Sequence, residues 1–157
     1  MIDAALIALE ASAPAEFLRA SPYAYPLVNA AHIMALAALF GSILALDLRL
    51  LGAFPSVPAA PLARALPAVA ATGLALALAT GLALFAVQPV DYLATPAFPV
   101  KLGLIAMGTA HALLLRSAPS WRRLLDGEAV APSLRVSAAF SLVVWAGAIL
   151  AGRWLAF

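Results

Sequence analysis

The chain has 157 residues, of which 66% are hydrophobic and only 10% charged, and its mean hydropathy is +1.05. A soluble domain is closer to half apolar and a quarter charged, so this composition excludes a water-soluble globule and predicts a single membrane domain over residues 1–157. The net charge of +2 comes from scattered basic residues, which argues against nucleic acid as a partner, and the absence of cysteine excludes disulfides, thiolate zinc sites and covalent haem attachment.

The N-terminal segment is short and amphipathic. It has no positively charged start, so a cleaved signal peptide is not expected. Ile2, Leu6, Leu9 and Phe17 fall roughly on one helical face, and the charged residues lie elsewhere. This pattern predicts a short interfacial helix over residues 1–20 that lies on the membrane surface.

Four apolar segments follow, and a hydrocarbon core of about 30 Å needs about 20 residues of helix. The third segment is short, but Lys101 and Arg116 can reach the headgroups and extend it. Proline-rich loops between the segments leave no place for strands. The predicted fold is therefore all-α, an integral membrane four-helix up-down-up-down bundle. Its spans are predicted at about residues 23–46, 66–87, 100–115 and 134–155.

The distribution of basic residues predicts the orientation of the bundle. The side that holds the N-terminus, called X, holds Arg19, Lys101 and Arg153. The opposite side, called Y, holds the other six basic residues: Arg49, Arg64, Arg116, Arg122, Arg123 and Arg135. The positive-inside rule then places side Y in the cytoplasm. We therefore predict a multi-pass protein of the bacterial inner membrane with both termini periplasmic.

Small residues at four-residue spacing are a typical means of packing helices in lipid, although an alanine-rich chain also produces such rows by chance. Rows of this kind occur on three spans: Ala37, Gly41 and Ala45; Gly73, Ala77 and Gly81; and Ser133, Ser137 and Ser141, with Trp145 following on the same face.

Two histidines lie inside the predicted spans, His32 in the first and His111 in the third. They lie 9 residues after Tyr23 and 11 after Val100, which at ~1.5 Å per residue places both near the middle of the membrane. The first and third helices of such a bundle are diagonal neighbours that run in the same direction. Two facing imidazoles can therefore ligate one iron, which predicts a single bis-histidine b-type haem with His32 and His111 as the metal ligands.

Nearby residues are compatible with that haem. Asn29 and Gly108 each lie about one turn before a histidine, and the glycine lets a flat macrocycle approach the helix backbone. Lys101 and Arg153 lie toward side X, where they can pair with haem propionates, although Arg153 is equally an anchor whose side chain reaches the lipid headgroups. These four residues complete the predicted cofactor site.

Two other interpretations of the histidines stay open. The rings can be structural or part of a proton relay, because buried, hydrogen-bonded histidines are common. Met34 and Met107 lie close by in sequence, so a copper site is the other alternative. If a histidine does bind a metal, Ser141 or Thr72 is the expected acceptor of its second ring proton.

Other polar groups give weaker indications of chemistry. Asp47 is interpreted as an interfacial ion pair with Arg49, within reach of Arg116 or Arg135 across the bundle. No Ser-His-carboxylate set predicts hydrolysis. Little of the chain lies outside the spans, which favours an electron-transfer subunit over a free-standing enzyme.

The segments LVNAAHIMALAALFGSILALDLRLLG, ATGLALALATGL, FPVKLGLIAMGTAH and SLVVWAGAILAGRW resemble a bacterial family of small four-helix membrane proteins of unknown function. The likeness covers residues 22–157. Its pattern is a histidine in span 1 followed by DLRLLG, Phe-x-x-Lys at the start of span 3 and GRW at the end of span 4. The architecture is also similar to the copper-resistance-D and b-type cytochrome groups of small haem bundles. Two-haem cytochromes of that kind carry four histidines, so the resemblance implies at most one haem here.

The leading hypothesis is therefore a membrane-embedded b-type haem protein that carries electrons. It would act as a subunit or anchor beside a redox partner protein or a quinone, in contact with the lipid bilayer and within an oligomer or larger complex. The alternative is a non-redox membrane subunit that handles copper or small solutes, or that packs inside a larger assembly.

Overall fold

The computed structural model describes residues 2–154, with side chains from Ala4 onward, so Met1 and the predicted end of span 4 at Leu155 lie outside the described residues. Within residues 2–154 the chain forms eight helices and no strand, which confirms the all-α prediction. The helices are Ile2–Glu10 (α1), Ala13–Ala20 (α2), Ala24–Leu51 (α3), Ala59–Val87 (α4), Pro89–Ala94 (α5), Ala97–Ser117 (α6), Pro119–Leu125 (α7) and Pro132–Trp154 (α8).

Four of these helices, α3, α4, α6 and α8, are long and apolar enough to cross a membrane. Three of them, α3, α4 and α6, are at least four residues longer than predicted. Helix α3 continues past Leu46 because its C-cap is Gly52, whose φ of 111° is the left-handed conformation that commonly ends a helix. Helix α4 starts at Ala59 because Pro61 lies in its first turn, where proline costs no hydrogen bond.

Glycines bring α3 and α4 into close contact. Gly73 of α4 lies against the backbone of Ala35 and Leu39, and Gly81 lies against the ring of His32. Because the contact moves toward the start of α3 as α4 proceeds, the two helices are antiparallel. The row Gly73, Ala77 and Gly81 therefore lies in this interface, whereas Ala37, Gly41 and Ala45 are exposed on the other side of α3.

The long helices form an open row. Helix α3 packs between α4 and α8, and α8 packs against α6. The described residues of α6 do not pack against α3 or α4. The row therefore has an open side between its two outer helices, α4 and α6.

The apolar core lies at the end of the bundle nearest Gly52, which is end Y. Helix α7 lies in the loop predicted between spans 3 and 4, and it packs on this core because Trp121 and Leu124 are buried. Its contacts reach α4, α6 and α8, so it closes the Y end across the open side. The core residues are Leu46, Leu50, Ala59, Ala63, Trp121, Leu124, Leu134 and Ala138.

The N-terminal segment forms two helices, α1 and α2, where a single helix was predicted. The second helix starts anew because Pro14 is tolerated only in a first turn. Ala15 and Leu18 are buried, and Arg19 donates to the carbonyl oxygen of Val87 at 3.0 Å. The pair thus covers end X of α4, and its position on the membrane surface stays a prediction.

Candidate functional site

Helix α3 positions His32 against α4, in the half of the bundle nearest end X. The Thr80 hydroxyl donates to the Leu76 carbonyl at 2.7 Å, so it accepts from His32 Nδ1 at 2.8 Å. In the tautomer that this bond requires, the ring proton is on Nδ1 and Nε2 keeps a lone pair, and the ring also hydrogen-bonds the backbone of Ala77. Gly81 allows the close approach, since a Cβ there would be 3.1 Å from the ring.

Helix α6 positions His111 against α8. Its Nε2 atom lies 2.8 Å from the Ser137 hydroxyl, and its ring meets that of Phe140 edge-on, with centroids 4.9 Å apart. The residues that hydrogen-bond the two histidines in this structure are thus Thr80 and Ser137, and not Thr72 and Ser141. Ser137 lies one turn before Ser141, and the Thr72 hydroxyl bonds the carbonyl of Ala68 in its own helix.

The structure does not bring the two histidines to one level of the bundle. His111 lines one cavity together with Asp47 of α3, and Asp47 follows His32 by fifteen residues. Fifteen helical residues span about 22 Å. The hydrogen-bond partners of the two histidines are also on different helices, since His32 bonds Thr80 of α4 and His111 bonds Ser137 of α8. In this arrangement the rings do not face each other across one iron.

The other predicted cofactor residues are dispersed. Gly108 is buried under the Trp145 indole, whose ring atoms would lie 2.8 Å from an added Cβ, so the flat group beside this glycine is a tryptophan. The Lys101 side chain lies against Gly152 of α8. Asn29 and Arg153 are exposed.

No group of three or more His, Asp or Glu side chains within the described part of the chain is placed to hold a metal ion. Met34 and Met107, which kept the copper alternative open, are exposed. Within this chain, a copper ion would therefore find only one histidine ligand at either position.

Asp47 is the polar residue whose environment the sequence did not reveal. It is 6% exposed, and its side chain is hydrogen-bonded to Ser141, whereas its Oδ2 atom has no partner. The expected ion pair with Arg49 is not formed among the described residues, since Arg49 donates to the carbonyls of Val57 and Pro55. The sequence does hold one indication that Asp47 lies inside the helix and not at its end: Gly52, a residue that commonly ends helices, comes five residues later.

Asp47 lines a cavity of about 170 Å³ between α3, α4, α6 and α8. Apolar side chains make up most of the wall, and Trp121 of α7 closes it toward end Y. His111 also lines the cavity. Arg116 lines it too and is exposed, so it lies at the rim of the cavity. The polar groups that converge on the cavity are Ser42, Asp47, Thr109, His111, Arg116 and Ser141.

No family model, curated protein or solved structure matches this chain. It is a helical membrane protein. The four membrane-competent helices establish that much, and the resemblance to a bacterial four-helix family stays a prediction.

Proposed function

We propose that the chain is a non-redox membrane subunit that binds a small molecule in the cavity around Asp47. The observation that carries this proposal is the Oδ2 atom of Asp47, which is buried without a hydrogen-bond partner in the wall of that cavity. Buried polar groups are nearly always paired, and ionisable residues inside a membrane usually mark a functional site. A ligand that supplies the missing partner explains why the residue is there.

The form of the cavity supports the same proposal. Small-molecule sites are largely apolar, with a few polar groups that fix the orientation of the ligand. The volume of about 170 Å³ is close to the ~150 Å³ of a protein cavity that accepts benzene. One six-membered ring therefore fits.

The proposal is tested by the thermal stability of the purified full chain in detergent with phenol, aniline, benzoic acid, toluene and cyclohexanol. A ligand that binds only the folded state stabilises it by about 2.7 kcal/mol at a hundred times its dissociation constant. We expect at least one compound to raise the melting temperature. Ala70→Phe should abolish that rise, because Ala70 lines the cavity and a phenyl group fills it.

The matched control is Ala75→Phe on the same helix. Ala75 is exposed and lies outside the cavity wall, so its ligand response should equal that of the wild type. If none of the five compounds stabilises the wild type, or if both phenylalanine variants respond like it, the cavity is not a ligand site.

A second candidate function is electron transfer through a b-type haem, which the state of His32 favours. Thr80 holds the Nδ1 proton and leaves the Nε2 lone pair free, as in a metal-ligating histidine with an outer hydrogen-bond partner. His111 at its present level does not complete a bis-histidine site, so haem binding would require α6 to move relative to α3.

The haem proposal predicts a red protein with a Soret band that sharpens on reduction with dithionite. Both His32→Ala and His111→Ala should bleach a bis-histidine site. Thr80→Val should weaken haem retention by about one order of magnitude, as lost outer partners of ligating histidines do, while the matched variant Thr72→Val should not. A colourless protein from cells with ample haem would disprove this candidate.

We further propose that the four spans alternate in direction, with side Y in the cytoplasm of a bacterial inner membrane and both termini in the periplasm. The excess of arginine on side Y supports this orientation. Reporter fusions should read cytoplasmic at Gly127 and periplasmic at Phe157. The reverse pattern would show that the basic residues do not set the orientation.

A further inference from the structure

We propose that the cavity takes a neutral, lipid-soluble single ring bearing a hydroxyl group, such as the headgroup of a quinol, and that this ligand enters from the bilayer between α4 and α6. This inference rests on the proposed function, since it names the ligand class of the same cavity. It is carried by the open side of the helix row, by the charges around the cavity and by the unpaired oxygen of Asp47.

The route into the cavity is lateral. Helices α4 and α6 both line the cavity but do not pack against each other. Leu113 of α6 is 62% exposed while lining the cavity, and Ala71 of α4 also lines the cavity and is exposed. Trp121 of α7 covers the end that faces the aqueous side Y. A molecule dissolved in the hydrocarbon therefore reaches the cavity more directly than one in water.

The charges around the cavity favour a neutral ligand. The Asp47 carboxyl group lies in the buried wall of the cavity and Arg116 lies at its exposed rim, and the two do not form an ion pair among the described residues. An ionic ring would pair with only one of these two groups, and it would lose its hydration in the hydrocarbon on the way in. A neutral ring avoids this cost.

The hydroxyl requirement follows from Asp47 itself. Its Oδ2 atom lacks a partner, and Ser141 already serves the same carboxyl group. A hydroxyl both donates and accepts, so it satisfies the carboxyl group whether or not that group carries a proton. An ether or a carbonyl on the ring only accepts, and therefore leaves an ionised carboxylate unpaired.

The test uses the full chain in lipid nanodiscs with two matched compounds, 4-decylphenol and its methyl ether 4-decylanisole. Trp154→Phe serves as the background, because the remaining tryptophans, Trp121 and Trp145, both line the cavity and report binding by fluorescence. We expect saturable binding of the phenol, about tenfold or more tighter than that of the ether. Asp47→Leu should reduce this preference to about one, and Thr72→Val should leave it unchanged.

A second arm tests the route. Ala71→Phe, which narrows the exposed edge of the cavity between α4 and α6, should weaken binding of 4-decylphenol at least about tenfold more than binding of phenol itself. Equal affinities for the phenol and the ether, or a preference that survives in Asp47→Leu, would overturn the ligand class. Equal effects of Ala71→Phe on both phenols would overturn lateral access. These failures still leave a cavity that binds rings, whereas failure of the proposed function leaves no compound bound at all.

Discussion

Gly73→Ala should destabilise the protein, although alanine is the better helix former by about 1 kcal/mol. A Cβ atom at this position would lie 2.6 Å from the backbone nitrogen of Leu39 and 2.9 Å from the carbonyl oxygen of Ala35. Backbone atoms cannot rotate aside, so α3 and α4 must separate along their interface. Overpacking of this kind costs about 1–3 kcal/mol, and Gly73→Leu should cost more.

The measurement is the free energy of unfolding in detergent for Gly73→Ala beside the matched variant Gly41→Ala. Gly41 lies on the exposed side of α3, and an added Cβ would meet no atom within 4 Å. Gly41→Ala should therefore leave stability unchanged or raise it by up to about 1 kcal/mol. Equal effects of the two substitutions would mean that α3 and α4 do not pack through Gly73.

These two glycines also show what could be predicted from the sequence. Both belong to rows of small residues at four-residue spacing, yet only the row of Gly73 lies between helices. In a soluble helix the polar face would identify the exposed side, but in lipid both faces are apolar and the pattern carries no such information. The existence of the long helices followed from their apolar length, whereas the faces they use did not.

The candidate site was harder to predict for a related reason. Depth was counted from the predicted start of each span, and helix α6 starts at Ala97 instead of Val100. A larger error came from assuming that spans 1 and 3 share one level. The level and rotation of each helix are set by tertiary contacts, such as Gly108 under Trp145, and these contacts have no separate signal in the sequence. His32 and His111 are thus partly buried polar residues inside their helices, as predicted, but their partners could not be predicted.

Asp47→Leu should make the protein more stable and at the same time abolish its preference for a hydroxyl-bearing ligand. Burying a polar group without a hydrogen bond costs about 1–3 kcal/mol by protein mutational data, and Oδ2 of Asp47 is such a group. Leucine has the same branching but is larger, and the cavity that position 47 shares with Leu46 and Leu50 can take the extra methyl groups. We expect the free energy of unfolding to rise by about 1 kcal/mol or more. The rise is reduced by whatever stability the hydrogen bond between Asp47 and Ser141 contributes, because the substitution removes that bond.

The comparison that decides is between Asp47→Leu and Ser141→Ala, measured by unfolding in detergent without added ligand. Ser141→Ala removes the hydrogen-bond partner of the carboxyl group and leaves that group buried, so it should lower stability by about 1–3 kcal/mol. If Asp47→Leu raises the free energy of unfolding and Ser141→Ala lowers it, Asp47 is a residue that is retained although it destabilises the protein, as binding residues often are. A loss of stability in Asp47→Leu would instead show that the carboxyl group holds the helices together, and the cavity would then need no ligand to account for it.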